Sequence, residues 1–399
     1  MSTARYLSKH TFLGVLPSFF ARKATAQVKE LYISSAILDF AVALILFFEP
    51  IYLYQQGVGL KGIMSFYLVV YFFYFFLMPL GGKFVKRYGF EHAMFLGSPL
   101  LIVYYLFLIL VGQSSFFLIP AALFYALHKT FYWPGYHADF VHYGINIEQG
   151  REVSNRIVLM TLVFVLGPLV GGFVIQFFSF TVLFVIVSLL IMLSNVPLLL
   201  TPEVFEPSRF SYLGTYRRLF KKENRVRFIS YLGFGEELIL LTLWPIFMII
   251  LLGSALSTGT IIALSTLTTS FIVLYVGKLT DKIKKGPLLR FTTIIYALSW
   301  VLHLLIRNAL GVFVVGTISQ VGKNALSVPQ IAITYQNARK RGVVKDVIFF
   351  EMALVVGKIL AILFVLLILF FASKELQWQL IFLLASLFTV LYSVLNEVK

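Results

Sequence analysis

Gly82-Lys83-Phe84-Val85-Lys86-Arg87-Tyr88-Gly89 and Gly277-Lys278-Leu279-Thr280-Asp281-Lys282 are two copies of one short basic segment, 195 residues apart (277 − 82). The same offset joins other landmarks. Pro50 recurs as Pro245, Pro134 as Pro329, and the basic pair Arg22-Lys23 as Arg217-Arg218. In a chain of 399 residues, two units of this length fill the protein. A repeat this long is not a solenoid unit. Each copy follows an apolar run, and a two-fold internal repeat in an apolar chain is the pattern of many membrane transporters, with the substrate site between the halves.

Composition supports a membrane chain. Hydrophobic residues make up 60% and charged residues 13%, with a mean hydropathy of +0.92, against roughly 45–50% apolar in soluble domains. About twelve apolar runs approach the ~20 residues that span a bilayer as helix, the first at 31–54 and the last at 376–396. Lys and Arg alternate across the connections. Most lie in the N-terminal segment, the two basic copies, the central loop and 339–345, whereas Lys61, Arg307 and Lys374 fall on the other side. The positive-inside rule predicts that both termini and the central loop are cytoplasmic. The net charge of +16 therefore reads as topology, not nucleic-acid binding. Compact loops suggest a bacterial inner membrane. With no Cys there are no disulfides or thiolate metal sites. No metal constellation, cofactor motif or convergent nucleophile argues for an enzyme, and no Walker-type phosphate loop is present.

The predicted organisation has four parts. Residues 1–30 read as an amphipathic surface segment and not a cleaved signal. Residues 31–200 form one six-helix half. Residues 201–227 are a linker with an amphipathic helix around 212–227, and 228–399 form the second half.

The two basic segments resemble the short loop signature of the major facilitator superfamily, Gly-x-Leu-x-Asp-Arg-x-Gly. Gly82, Lys86, Arg87 and Gly89 match it in the first copy, and Gly277, Asp281 and Lys282 in the second. The resemblance implies an all-α membrane protein of twelve transmembrane helices in two pseudo-symmetric six-helix halves, usually monomeric, working by alternating access. The signature's acid survives as Asp281, but Lys86 replaces it in the first copy. The family's acid sits near a helix N-terminus, where the dipole favours negative charge, so Lys86 needs a compensating acid. Asp346 and Glu351 are the candidates. Gly167-Pro168-Leu169-Val170-Gly171-Gly172 in span five is similar to the signature of the proton-coupled antiporter branch. The same glycines also read as a plain close-packing face.

Ionisable residues inside a span cost about 2.5–3.5 kcal/mol on the insertion scale, so they should face a cavity or a partner. Here they fall on span one (Asp39, Glu49), four (His128, Lys129), seven (Glu236, Glu237), ten (Lys323) and eleven (Lys358). The superfamily lines its cavity with spans one, four, seven and ten. Asp39 is the first candidate proton carrier, followed by Glu236 and Glu237, of which one should face the cavity. Lys129, Lys323 and Lys358 are candidate contacts for an anionic substrate group, unless they are internal ion pairs. His128 reads as a relay or a packed residue. Gln320 and Asn324 read as ligand-orienting or helix–helix groups. The run 131–136 reads as an interfacial belt or a gate, and 66–76 as lipid-facing. His137, Asp139 and His142 are placed in a loop after span four.

The expected function is secondary active transport of a small organic molecule, with protons as the coupling ion and export as the direction. The alternative is proton-coupled uptake of an organic anion, sugar or peptide. A transporter-like sensor is the remaining reading.

Overall fold

A computed structural model describes residues 26–143, 149–197, 210–282 and 285–396. Among these the chain is helical throughout, with no strand. In hydrocarbon a helix satisfies every backbone group within itself, which is why so apolar a chain takes this form.

The first span is α1 (Ala26–Ile45) followed by α2 (Phe48–Gln55). Then come α3 (Gly59–Tyr88), α4 (Phe90–Val111), α5 (Leu118–Tyr143), α6 (Gln149–Phe177) and α7 (Phe180–Ser194). A short helix, α8 (Tyr212–Leu219), stands between the halves. The seventh span is α9 (Arg225–Leu232), α10 (Gly235–Leu238), a π-helical turn at Ile239–Leu243 and α11 (Trp244–Leu252). It is followed by α12 (Ala255–Lys282), α13 (Lys285–Leu302), α14 (Ala309–Arg341), α15 (Val343–Phe371) and α16 (Lys374–Val390). Among the described residues nine helical stretches are long and apolar enough to cross a membrane, and α7 is a shorter apolar helix. With α5 and α12, helices occupy all twelve expected positions, six on each side of α8.

The repeated prolines explain where two spans break. Proline has no N–H to bond the carbonyl four residues earlier. For Pro50 that carbonyl is Leu46, in the break between α1 and α2. For Pro245 it is Leu241, inside the π-helical turn. Elsewhere polar caps open the helices. Ser179 accepts from the Val182 N–H at 3.2 Å, and Asn308 accepts from the Gly311 N–H at 2.9 Å. Helix α3 runs straight through Gly82 and ends at Gly89, whose φ of +109° suits glycine.

The most extensive contacts between the halves are α3 with α15 and α6 with α12. At the end of the molecule bearing the basic segments, here the basic face, Gly82 of α3 packs on Phe210 and Ile348, and a Cβ there would lie 2.9 Å from Ile348 Cγ1. At the opposite face, Lys61 of α3 lies 4.0 Å over the Phe370 ring of α15. The span-five glycines serve close packing on two sides. A Cβ on Gly167 would meet Ala43 Cβ at 2.5 Å, and one on Gly171 the Leu44 carbonyl at 2.1 Å, both of α1. Gly172 meets the Ala255 carbonyl of α12 at 2.6 Å, and Gly259 of α12 meets the Pro168 carbonyl at 2.2 Å.

Helix α3 corrects the lipid-facing reading of 66–76. Tyr67, Tyr71 and Tyr74 are buried, while Phe72, Phe73 and Phe76 are exposed. Positions i, i+4 and i+7 share one helical face, and here that face is the hydroxyl-bearing one.

Candidate functional site: a central layer of charges between the halves

The adjacent glutamates of α10 point to different partners. Glu236 is fully buried and accepts hydrogen bonds from Tyr296 of α13 at 2.6 Å and Tyr392, after α16, at 3.1 Å. It also pairs with Lys323 of α14. Glu237 keeps 25% of its side chain exposed. It bonds Lys358 of α15 at 2.8 Å and lies 4.0 Å from Lys323. Successive helical positions diverge by about 100°, so one acid anchors the second half internally and the other faces the interface. Lys323 and Lys358 are thus ion-paired in this state.

Lys129 of α5 differs from them. Its ammonium lies 4.3 Å from the Tyr125 ring and 5.9 Å from the Tyr71 ring, with no carboxylate within 4 Å among the described residues. Lys358 lies 5.5 Å from the same Tyr71 ring. The more distant charges around Lys129 are Lys358, Glu49, Glu351 and Glu237. Aromatic faces attract a desolvated cation, but they do not neutralise it. The result is a positive spot beside the interface, with no carboxylate within 4 Å among the described residues to neutralise it. Glu49 of α2, buried, accepts from Tyr67 at 2.7 Å.

The remaining candidates fall around this layer. Gln320 donates to Thr266 of α12 at 2.8 Å. With Lys323, Ser319, Phe47, Leu240 and Trp244 it lines a cavity of about 80 Å³. Asn324 is half-buried beside Lys323, and Asp39 is half-buried on α1. His128 faces away from Lys129. Its Nδ1 lies 2.9 Å from the Gly97 carbonyl of α4, and its ring stacks on Tyr132 at 5.3 Å. Arg87 lies at the exposed end of α3, over Tyr88. The side-chain surroundings of Gly277, Asp281 and Lys282, like residues 1–25 and the His142 side chain, lie outside the described residues.

Toward the basic face a second polar chain crosses between the halves. His137 Nε2 lies 3.0 Å from Glu351 of α15, its Nδ1 2.7 Å from the Tyr335 hydroxyl of α14, and Tyr74 donates to Glu351 at 2.7 Å. This corrects the loop placement of His137 and Asp139. Helix α5 continues through both, and Asp139 is buried. The aromatic run before them is internal: Tyr132 is buried and Trp133 stacks on His137 at 5.5 Å.

It also corrects the compensation expected for Lys86. Glu351 is taken by His137 and Tyr74. Asp346 is taken by Arg227 and by Arg218, the latter at 2.8 Å. Among the described residues, the charge that acts on Lys86 is Lys345, another cation. Glu49, Tyr71, Tyr74, His137 and Glu351 were not singled out as site residues from sequence, although the tyrosine spacing on α3 was a readable signal.

The sequence profile described as the Major Facilitator Superfamily matches residues 31–348. No curated sequence matches significantly. Among solved structures the chain is similar to a POT family transporter crystallised with 5-aminolevulinic acid, with a TM-score of 0.67 and 14% identity over 94% of this chain and 97% of that one. That likeness concerns the fold. The profile match covers well over half the chain, and the chain belongs to the major facilitator superfamily.

Proposed function

We propose that this transporter carries a small organic solute bearing a carboxylate or similar anionic group, coupled to protons, through the layer containing Lys129. The observation that carries the reading is Lys129 itself, a cation in an aromatic frame with no carboxylate within 4 Å among the described residues. An anion docking there has its charge met without breaking an existing pair. Once bound, it competes with Glu237 for Lys358, whose ammonium shares the Tyr71 ring. A released Glu237 takes up a proton, which couples the two movements. Asp39 and Glu49 on the first span are further proton acceptors in this scheme. We place the termini and basic face in the cytoplasm on the positive-inside rule, the halves at 31–200 and 228–399, and the working unit as a monomer. Co-movement of anion and proton makes uptake the first direction. The span-five glycines, which resemble the antiporter signature, favour export as the second.

The test is thermal unfolding of the purified chain against a panel of monocarboxylates, amino acids, dipeptides, sugars and lipophilic cations. A ligand that binds only the native state raises the melting temperature by mass action. Stabilisation by a carboxylate class, lost in Lys129→Gln, supports the reading. Stabilisation by lipophilic cations alone, or by carboxylates equally in Lys129→Gln, rejects it. Flux in proteoliposomes under an imposed pH gradient then assigns direction.

A further inference from the structure

A second cavity, of about 430 Å³, lies at the basic face, away from the central layer. It is walled by α8 and by the junction of α14 with α15. Arg218, Lys221, Arg341 and Lys345 line it, with Ser211 and Thr215. The lining also includes one acid, Glu223, which is 59% exposed and 3.9 Å from Arg341. The nearby Asp346 is already bonded by Arg218 and Arg227. Arg341 donates to Asn224 at 2.9 Å. Lys221 and Lys345 have no carboxylate within 4 Å among the described residues, and the Arg218 Nε is buried without an acceptor. Lys345 also repels Lys86, the residue that replaces the acid of the loop signature. So many cations converging on one concavity repel one another unless an anion joins them.

We infer that this cavity binds a phosphate group, carried by an anionic phospholipid headgroup or by a free phosphorylated solute. Phosphate accepts several charge-assisted hydrogen bonds at once, which suits two arginines and two lysines around one void. The surface of α8 favours a nearby bilayer: Leu213 and, one residue past its end, Phe220 are 68% and 76% exposed, with the exposed Arg217 on the same side. An apolar face with cations at its edge is how a helix lies on an anionic membrane surface. The ligand would tie α8 to the start of α15. Helix α8 already grips the first half, because Tyr212 and Tyr216 both donate to the Phe76 carbonyl of α3, at 2.8 and 3.0 Å. A phosphate there would fasten the connection between the halves.

The experiment uses the full chain in two arms. In detergent, inorganic pyrophosphate is titrated and the melting temperature followed. In nanodiscs, phosphatidylcholine alone is compared with phosphatidylcholine containing phosphatidylglycerol. A rise in the detergent arm identifies a free phosphate as sufficient. A rise only in nanodiscs identifies the lipid headgroup. In either case Lys221→Gln, which loses no ion pair, and Lys345→Gln should each raise the half-maximal concentration about tenfold, the worth of one charge-assisted hydrogen bond. Lys345→Arg should retain the response. No rise in either arm, or a rise unchanged in both glutamine variants, overturns the inference.

Discussion

His137 and Glu351 face each other at 3.0 Å from opposite halves of the protein. Their contact sits between the central layer and the basic face, with Tyr335 and Tyr74 completing it. It holds α5, α3, α14 and α15 together in this state, so opening toward the basic face requires breaking it. In Glu351→Ala we expect the equilibrium to shift toward that opening. The contact, worth about 1.4 kcal/mol, would shift the populations about tenfold. The chain has no Cys, so a single Ser327→Cys, one turn beyond Lys323 on α14, reports access cleanly. Labelling by an impermeant maleimide should be faster in Glu351→Ala, and unchanged labelling would show that the contact does not gate.

Glu236 and Glu237 should separate by measurement although they are neighbours in sequence. Glu236→Gln leaves Lys323 without its close partner in a fully buried site, a loss of about 3–5 kcal/mol. A large fall in melting temperature is the expected result. Glu237→Gln alters a partly exposed pair, so most of the stability should remain while pH-driven flux falls sharply. Flux that still follows the pH gradient in Glu237→Gln would remove this residue from coupling.

Much of this was legible in the residues. The twelve apolar runs, divided by the 195-residue repeat, match twelve helical positions, and the charged residues that the sequence places on spans seven, ten and eleven meet as Glu236 and Glu237 with Lys323 and Lys358. Pairing was not legible. Charge alone does not say that Lys323 and Lys358 pair with carboxylates while Lys129 has none within 4 Å among the described residues, because that depends on helix rotation. The reading of α3 went astray because its composition is uniformly aromatic, and only the i, i+4, i+7 spacing of Tyr67, Tyr71 and Tyr74 separates the buried face. His137 was misplaced because helix α5 outlasts its apolar run, and length beyond the hydrocarbon has no hydrophobic signal.

Gly259 sits where α12 touches the Pro168 carbonyl of α6, with 2.2 Å available for a Cβ. Gly259→Ala should force the backbones apart, at a cost of about 1–3 kcal/mol or more. Gly286→Ala, with nothing within 4 Å, is the matched control and should leave melting unchanged. Equal melting of the two variants would contradict the close contact of α6 with α12.

Asp346 ties α8 and the seventh span to α15 through Arg218 and Arg227. Asp346→Asn leaves two guanidinium groups facing a neutral amide, with an expected loss of about 3–5 kcal/mol. Limited trypsin digestion should then cut faster after Arg217 or Arg218. Digestion at the wild-type rate would show that α8 is held by its tyrosines instead.

The π-helical turn at Ile239–Leu243 begins two residues after Glu237 and is followed by Trp244-Pro245. Such a turn is an α-helix holding one surplus residue. Were that residue passed back along the helix, the segment bearing Glu237 would swivel by about 100° against α11 and slide by about 1.5 Å. The carboxylate would swing off Lys358 while both ends of the span stayed at their membrane surfaces. The seventh span thus contains its own crankshaft, turning a one-residue change of winding into a change of partner for the charge beside it.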